Sequence, residues 1–222
     1  KYEGHFTERG FNAIAMSSVA DCWVKNVKIK NAESGIFLSS KFCTLTGLTF
    51  ESERSPARGC TGHHGVILGG TDNLCTEFRF NTKFIHDLGV SANHAGNVYS
   101  NGSGVDLNFD HHRRAPHENL YTNLDVGKGT RMWTCGGGRS LGKHCGARGT
   151  FWNIRADMPQ NYPATSFGPV SMNLVGIRSN QPSIKDLGAK WLEVIHPEKL
   201  HPQNIHEAQL LFRLMAKERS ED

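Results

Sequence analysis

Nine consecutive positions of this chain concentrate side chains that could do chemistry. They run Asp106-Leu107-Asn108-Phe109-Asp110-His111-His112-Arg113-Arg114. Successive side chains of a β-strand point to opposite faces, so Leu107 and Phe109 would point one way and the acidic and amide side chains between them the other. The pattern predicts a strand that delivers acids, histidines and arginines onto one patch, which either performs catalysis or solvates a surface.

Spacing argues against a glycosidase built on this stretch alone. An inverting glycosidase needs two carboxyl groups about 6.5 to 9.5 Å apart, and a retaining one needs them about 5 to 5.5 Å apart. Asp106 and Asp110 lie four residues apart, or about 13 Å along a strand that rises about 3.3 Å per residue. Hydrolysis is therefore disfavoured.

A polysaccharide lyase needs other groups: a cation for the uronate carboxylate, a base for the C5 proton and an acid for the leaving oxygen. The candidate catalytic residues are His94, Asp110, His111, His112, Arg113 and Arg131. The candidate substrate contacts are Asn93, Asp106, Asn108, His63, His64 and Trp133, the last as an exposed platform for sugar stacking. The sequence specifies no cofactor, although the oxygen donors of Asp106, Asn108 and Asp110 could bind Ca²⁺ or only solvate the strand.

Composition indicates an ordinary globular chain with a weak basic bias. Of 222 residues, 37% are hydrophobic and 21% are charged, and no apolar run is long enough to predict a membrane span. The net charge of +4 comes from dispersed residues without a Lys/Arg block, so nucleic acid is not indicated as a partner. A mildly basic surface fits an acidic polysaccharide.

The six cysteines favour an oxidising compartment and a secreted, extracellular protein. Cys135 and Cys145 flank a glycine-rich segment and are the first disulfide candidate. Cys22 and Cys43 are the second, with a reduced pair stacked in the core as the alternative. A zinc site of Cys135, His144 and Cys145 is disfavoured because no second closely spaced cysteine pair accompanies it.

A short motif of apolar, polar, Asn and apolar residues recurs along the chain and predicts the fold. Its equivalent positions are Asn26, Gly47, Glu77, Asn101, Asn123, Asn153 and Asn173, separated by 21, 30, 24, 22, 30 and 20 residues. Alternation within each unit is of strand type. We expect an all-β fold, a right-handed parallel β-helix with coils of about 20 to 24 residues and insertions at residues 52–64 and 135–149.

The end of the chain changes character. Pro202 is expected to open a helix with one apolar stripe, which would cap or flank the open end of the solenoid. That stripe is Ile205, Ala208, Leu211, Phe212 and Met215. The expected organisation is a β-helix over residues 1–200, truncated at its N-terminus if further coils precede it, and a helical tail over residues 201–222.

Several segments resemble the pectate-lyase-like parallel β-helix superfamily. They are residues 8–14 (ERGFNAI), 21–27 (DCWVKNV), 31–35 (NAESG) and 205–210 (IHEAQL), the last similar to the ending of its poorly characterised carbohydrate-associated members. The resemblance covers most of the chain and implies the fold more specifically than the reaction, because the superfamily contains lyases, hydrolases and non-catalytic adhesins. Motifs of its polygalacturonases are absent.

Two functions of different classes remain open. The first is a secreted carbohydrate-active enzyme, specifically a lyase that cleaves an acidic glycan by β-elimination in a groove near residues 91–134, with a glycoside hydrolase as a variant. The second is a non-catalytic β-helix in an extracellular or cell-surface assembly, whose partners would be further coils or other subunits. Convergence of His94, Asp110, His111 or His112, and Arg131 on one point of a cleft would favour the enzyme, and their dispersal over different faces would favour the non-catalytic β-helix.

Overall fold

The computed structural model describes residues 12–56, 59–142, 146–167 and 171–221, which form fourteen strands and one α-helix. The strands are β1 (Asn12–Ala20), β2 (Trp23–Lys30), β3 (Ser34–Lys41), β4 (Thr44–Glu51), β5 (Gly62–Thr71), β6 (Leu74–Phe80), β7 (Phe84–Val90), β8 (Val98–Gly104), β9 (Phe109–His111), β10 (Leu120–Asp125), β11 (Thr150–Arg155), β12 (Asn173–Ile177), β13 (Ile184–Lys185) and β14 (Trp191–Glu193). Three short 3₁₀ turns span Arg139–Leu141, Thr165–Phe167 and Pro197–Lys199, and helix α1 spans Ile205–Glu221.

From β1 to β10 the strands alternate between two sheets, and β11 to β14 all join the second sheet. Sheet A has the order β1-β3-β5-β7-β9, and sheet B has the order β13-β14-β12-β11-β10-β8-β6-β4-β2. All these neighbours pair in parallel except β13 and β14, which are antiparallel. The expectation of a mostly β chain with parallel sheets and one C-terminal helix is therefore confirmed.

The sequence repeat coincides with one level of sheet B, where a residue in each of six strands has a positive φ between 49° and 66°. The residues at this level are Asn26, Gly47, Glu77, Asn101, Asn123 and Asn153. Asparagine and glycine tolerate this left-handed conformation best, which explains why they recur there. The seventh expected member was wrong: Asn173 pairs with Thr150, and Gly176, with φ 70°, takes the position.

A column of buried side chains runs through sheet B at the level two residues before the left-handed positions. Each member has no exposed surface, and they are Leu45, Cys75, Tyr99, Tyr121, Phe151, Leu174 and Leu192. Parallel pairing stacks the same position of successive strands, so the ring of Tyr121 lies 5.2 Å from that of Tyr99 and 4.8 Å from that of Phe151. Cys75 thus serves as a packing residue in this column.

The cysteines of the described residues form no disulfide. Cys22 and Cys43 do lie at equivalent positions, directly before the paired residues Trp23 and Thr44. Each is nevertheless a free thiol that contacts a backbone carbonyl of its own turn, Cys22 Sγ at 3.2 Å from Ala20 O and Cys43 Sγ at 3.4 Å from Lys41 O. The expected bond between them is therefore absent.

Only one end of the disulfide expected between Cys135 and Cys145 lies among the described residues. Cys135 is a free thiol, 3.8 Å from the carbonyl oxygen of Phe167. Its expected partner Cys145, and His144 of the disfavoured zinc site, lie outside the described residues.

Both predicted insertions fall between strands, with shifted boundaries. The first lies between β4 and β5 and ends before His63 and His64, which belong to β5 and not to a loop. The second lies between β10 and β11, from residue 126 to residue 149. The strand predicted over residues 106–114 is reduced to β9, whose edge the second insertion covers by the hydrogen bond from Phe109 N to Met132 O at 2.9 Å.

The C-terminal helix begins at Ile205, not at Pro202, and does not cap an end of the sheets. Asn204 caps its first turn by accepting from His206 N and Glu207 N, and its amide donates to Ser100 Oγ and Asn101 Oδ1 of β8, both at 2.8 Å. Strand β8 lies in the middle of sheet B. The apolar stripe beyond is not buried, since Leu211, Phe212 and Met215 are 60%, 76% and 45% exposed, so the predicted capping role is wrong.

A ladder of buried asparagines connects the turns that precede strands β6, β8 and β10 of sheet B. Asn97 Oδ1 accepts from the backbone N–H and the side-chain amide of Asn73, at 3.1 and 2.9 Å. Asn119 Oδ1 does the same for Asn97, at 3.0 and 3.2 Å. Each amide therefore satisfies backbone groups of a neighbouring turn that are shielded from water.

We expect Asn97→Ala to lower the free energy of unfolding by about 2 kcal/mol, because the backbone N–H of Asn73 would remain buried without its acceptor. Urea denaturation measures the change. Asn180→Ala is the matched control, since that side chain is exposed, and it should stay within about 0.5 kcal/mol of the parent. An equal effect of the two substitutions would contradict the ladder's contribution.

Candidate functional site

A cavity of about 200 Å³ opens on the outer face of sheet A. Four polar and three apolar side chains line it: His64, Ser91, Asp110, His112, Phe37, Ile67 and Val90. They come from β3, β5, β7, β9 and the turns that follow β7 and β9. Three predicted site residues, His64, Asp110 and His112, therefore converge on one cavity.

The register of sheet A creates this cavity. Phe37, Ile67, Gly89 and Asp110 occupy one level of successive strands and point outward. Gly89 leaves the space that Ile67 fills, since a Cβ at Gly89 would lie 2.4 Å from Ile67 Cδ1. The apolar wall and the carboxyl group of Asp110 thus meet without a side chain between them.

Asp110 is held in place from two directions. Its Oδ1 accepts from the backbone N–H of Gly136 at 2.5 Å, and its Oδ2 lies 3.2 Å from Nδ1 of His86. The residue is only 1% exposed, and this burial raises the pKa of its carboxyl group to about 7. Asp110 and His86 therefore form a buried acid–base pair.

Three histidines cluster beside Asp110. His63 and His64 follow each other in β5, and His86 of β7 pairs in register with His64. The ring centroids are 3.7 Å apart for His63 and His64, 5.3 Å for His63 and His86, and 5.2 Å for His64 and His86. One ligand atom from each lies within 4.8 Å of the others, which makes this the metal-competent group of the described part of the chain.

His86 was missing from the sequence prediction, although a signal for it existed. It follows His64 by 22 residues (86 − 64), a step within the coil period of the repeat. Two histidines separated by one period of stacked strands lie side by side, so the repeat itself could have identified the pair.

The second insertion forms a wall of the site. Gly136 approaches so closely that a Cβ there would lie 2.6 Å from His86 Cε1 and 3.2 Å from His112 Cδ2, so glycine is required. Arg113 anchors this wall, donating from Nε to Gly137 O at 3.0 Å and from Nη1 to Gly142 O. The guanidinium of Arg113 therefore holds the loop and does not line the cavity.

Arg131, Asp106 and Asn108 belong to a buried polar network outside the cavity. Arg131 pairs with Asp87, and its Nε donates to Asp106 O at 2.9 Å. Asp106 is 3% exposed and accepts from Thr130 N at 2.9 Å and Thr130 Oγ1 at 2.6 Å. The structure thus gives these groups a role in attaching the second insertion.

Asn108 and Asp87 exchange hydrogen bonds across sheet A within this network. Asn108 N donates to Asp87 Oδ2 at 2.9 Å, and Asp87 N donates to Asn108 Oδ1 at 2.7 Å. Burial raises the pKa of Asp87 to about 6, against the opposing effect of the Arg131 guanidinium. The side chains considered as Ca²⁺ ligands, Asp106, Asn108 and Asp110, each accept a hydrogen bond from a backbone N–H through one oxygen. The donors are Thr130, Asp87 and Gly136, respectively.

His111 and Trp133 lie in an aromatic cluster. The His111 ring stacks on Phe167 with centroids 4.6 Å apart, and it is 2% exposed. Trp133 packs on Phe109 and Phe151, at 5.8 and 5.1 Å between centroids. Trp133 is partly buried against the core, so the expected exposed platform for sugar stacking is not formed.

His94 and Asn93 shape the turn after β7 instead of facing the cavity. Ser91 N donates to Nδ1 of His94 at 3.1 Å, and burial lowers the pKa of that imidazole. Asn93 is exposed, has a φ of 62° and donates its backbone N–H to Arg114 O at 2.7 Å. Strand alternation did not predict these positions because the chain leaves the strand at Val90.

Comparison of this chain with family models, curated proteins and solved structures found no match. Among the helices of the described residues, none combines the length and apolar character needed to cross a bilayer. The functional inference therefore depends on the geometry of the site.

We expect Arg131→Met to lower the free energy of unfolding by about 3 kcal/mol, because it leaves the buried carboxylate of Asp87 without its positively charged partner. The side chains of this pair are 18% and 0% exposed. Arg148→Met is the matched control: its pair with Glu118 is 65% and 47% exposed, so the loss should stay below about 1 kcal/mol. Chemical denaturation of both variants measures the difference, and equal losses would contradict a structural role for Arg131.

Proposed function

We propose that the chain winds as a right-handed parallel β-helix of the pectate-lyase-like kind. Support comes from the alternation of strands β1 to β10 between two sheets and from the shared register of each sheet. The residues at the left-handed level recur at the coil period expected from the sequence. In such a fold the outer face of a sheet and the loops above it are the usual places for a binding site.

We infer that this β-helix is a polysaccharide lyase that acts on an acidic, uronate-containing glycan. The observation that carries the proposal is the convergence of His64, Asp110 and His112 on one outward-facing cavity. A β-elimination needs a positive group near the uronate carboxylate, a base that removes the C5 proton and an acid that protonates the glycosidic oxygen as its bond to C4 breaks. Histidines can serve all three purposes, and the imidazolium formed when the base takes the C5 proton can return it to the leaving oxygen.

The arrangement suggests a division of these roles. His112 lines the cavity, is only partly buried and lies 3.4 Å through Nδ1 from Ser91 Oγ, so we assign proton abstraction to it. The cluster of His63, His64 and His86 borders the cavity, so we assign binding of the substrate carboxylate to its imidazole groups. Asp110 orients His86. Arg113 and Arg131, predicted from the sequence as catalytic residues, have no part in this assignment because they hold the second insertion.

Hydrolysis is less well supported than elimination. A glycosidase needs a second carboxyl group within about 10 Å that faces the same space. Among the residues that line the cavity, Asp110 is the one acid, and the carboxyl groups of Asp87 and Asp106 are bound to Arg131 and Thr130. Among the described residues that line the cavity, a second, water-activating carboxylate is therefore missing.

The proposal keeps the extracellular setting, since acidic polysaccharides are polymers of that space. The cysteines do not support this setting, because those of the described residues are thiols: Cys22, Cys43, Cys60, Cys75 and Cys135. The non-catalytic alternative, a β-helix that only assembles with other subunits, predicts no reaction at all.

Elimination creates an unsaturated uronate that absorbs in the ultraviolet, so absorbance with alginate, pectate, glucuronan and glycosaminoglycans tests the proposal. We expect a steady rise with one of them and a decrease of at least about 100-fold in rate for His112→Gln, since general-base catalysis contributes about that much or more. His117→Gln is the matched control, because His117 is partly exposed in the turn before β10 and does not line the cavity, and should keep the full rate.

Two outcomes would contradict the lyase. One is an unchanged absorbance across the whole panel with folded protein. The other is a reaction that His112→Gln leaves at the parental rate. Either would favour the non-catalytic alternative or another position for the site.

A further inference from the structure

We propose that His63, His64 and His86 form a binding site for a divalent late first-row transition metal of the Zn²⁺ class. The site stands on the arrangement of these side chains and does not depend on the lyase proposal. It is a site for a metal with nitrogen ligands, at the boundary of the cavity on sheet A.

The distances are close to those of a metal centre. One ligand atom from each imidazole lies within 4.8 Å of the other two. Tetrahedral Zn²⁺ with bonds of about 2.0 to 2.1 Å holds its nitrogen ligands about 3.3 Å apart. The rings therefore need to approach by at most about 1.5 Å, which rotation of the side chains provides without a change in the strands.

The backbone fixes two of the three ligands relative to each other. His64 and His86 are register partners in neighbouring parallel strands. Neighbouring strands lie about 4.8 Å apart, a separation that two imidazoles can bridge through one ion. His63 is added from the same strand as His64, with its ring 3.7 Å from that of His64 between centroids.

Asp110 supplies the second sphere that histidine ligands require. Its Oδ2 lies 3.2 Å from Nδ1 of His86, and its Oδ1 is itself fixed by the backbone of Gly136. A carboxylate next to one imidazole nitrogen orients the ring electrostatically, so that the other nitrogen can bind a metal. The buried acid–base pair is thus explained as a carboxylate–histidine–metal arrangement.

The site is closed on one side and open on the other. His63 is 9% exposed and His86 is 4% exposed, whereas His64 also lines the cavity of about 200 Å³. Three protein ligands and one accessible position are typical of catalytic zinc, whereas structural zinc has four protein ligands. The open position would accept a water molecule or a carboxylate from the cavity.

The donor set selects the class of metal. Imidazole nitrogens suit Zn²⁺, Cu²⁺ and Ni²⁺, whereas Ca²⁺ and Mg²⁺ require oxygen ligands. Three neighbouring imidazoles also repel one another when protonated, and a metal binds their neutral forms. We therefore expect Zn²⁺ to bind here and Ca²⁺ not to compete with it.

Isothermal titration of the full chain, freed of metal with a chelator, tests the site with Zn²⁺ and Ca²⁺ as probes. We expect one tight equivalent of Zn²⁺ that excess Ca²⁺ does not displace. Asp110→Asn should weaken binding about 10- to 100-fold, the usual effect of removing a second-sphere partner, and His86→Gln should weaken it further. His117→Gln is the control and should bind like the parent.

X-ray absorption of the Zn²⁺-loaded parent protein removes any dependence on whether a variant folds. Three imidazole nitrogens and one further light ligand are expected. Sulfur ligation, ligation by oxygen alone, the absence of a tight equivalent, or an affinity unchanged in folded His86→Gln would each overturn the proposal. None of these outcomes concerns glycan cleavage, so failure of the lyase assay leaves the metal site to be decided by binding alone.

Discussion

Register between parallel strands is the constraint on which this structure depends. In each sheet a residue pairs with its counterpart in the next strand, so chemically similar side chains stack in columns. The tyrosine and phenylalanine stack, the buried asparagines and the left-handed positions are three products of the same pairing. A one-residue slip would exchange the core and the surface of a strand, so these columns also protect the register.

The same constraint brings the histidines together. His64 and His86 meet because they occupy one level of β5 and β7, not because of any local motif. Asp110, two strands from His64 in sheet A, joins them through its contact with His86. A site built on paired strands is positioned precisely, since each side chain inherits the spacing of the sheet.

Buried polar groups explain why so many charged residues near the cavity do not face it. Arg113 holds the loop of Gly137 and Gly142, while Arg131 ties the second insertion to Asp87. A charged side chain that is taken out of water needs such partners, so its position in a reactive-looking sequence is no guide to its role. The insertion thus forms a wall of the cavity and also takes part in the hydrogen bonds and ion pairs of these charged side chains.

From the sequence alone, the period of about 20 to 24 residues already determined the mostly β character, the parallel sheets, the two insertions and six of the seven repeat positions. These features follow from local alternation and spacing, which are properties of the linear chain. It also pointed to His64, Asp110 and His112. Only the tertiary structure decided that His86 joins them, that His111 and Trp133 enter an aromatic cluster, and that α1 begins against β8.

The physical reason is that these decisions depend on contacts between residues far apart in sequence. Strand alternation predicted one polar face over residues 106–114, yet a loop some twenty-five residues later supplies the partners that bury Asp106 and Asp110. The free thiols of Cys22 and Cys43 illustrate the same limit, because aligned backbones do not determine where the sulfur atoms point. Periodicity predicts which residues are neighbours, whereas packing and hydrogen bonding decide what each neighbour does.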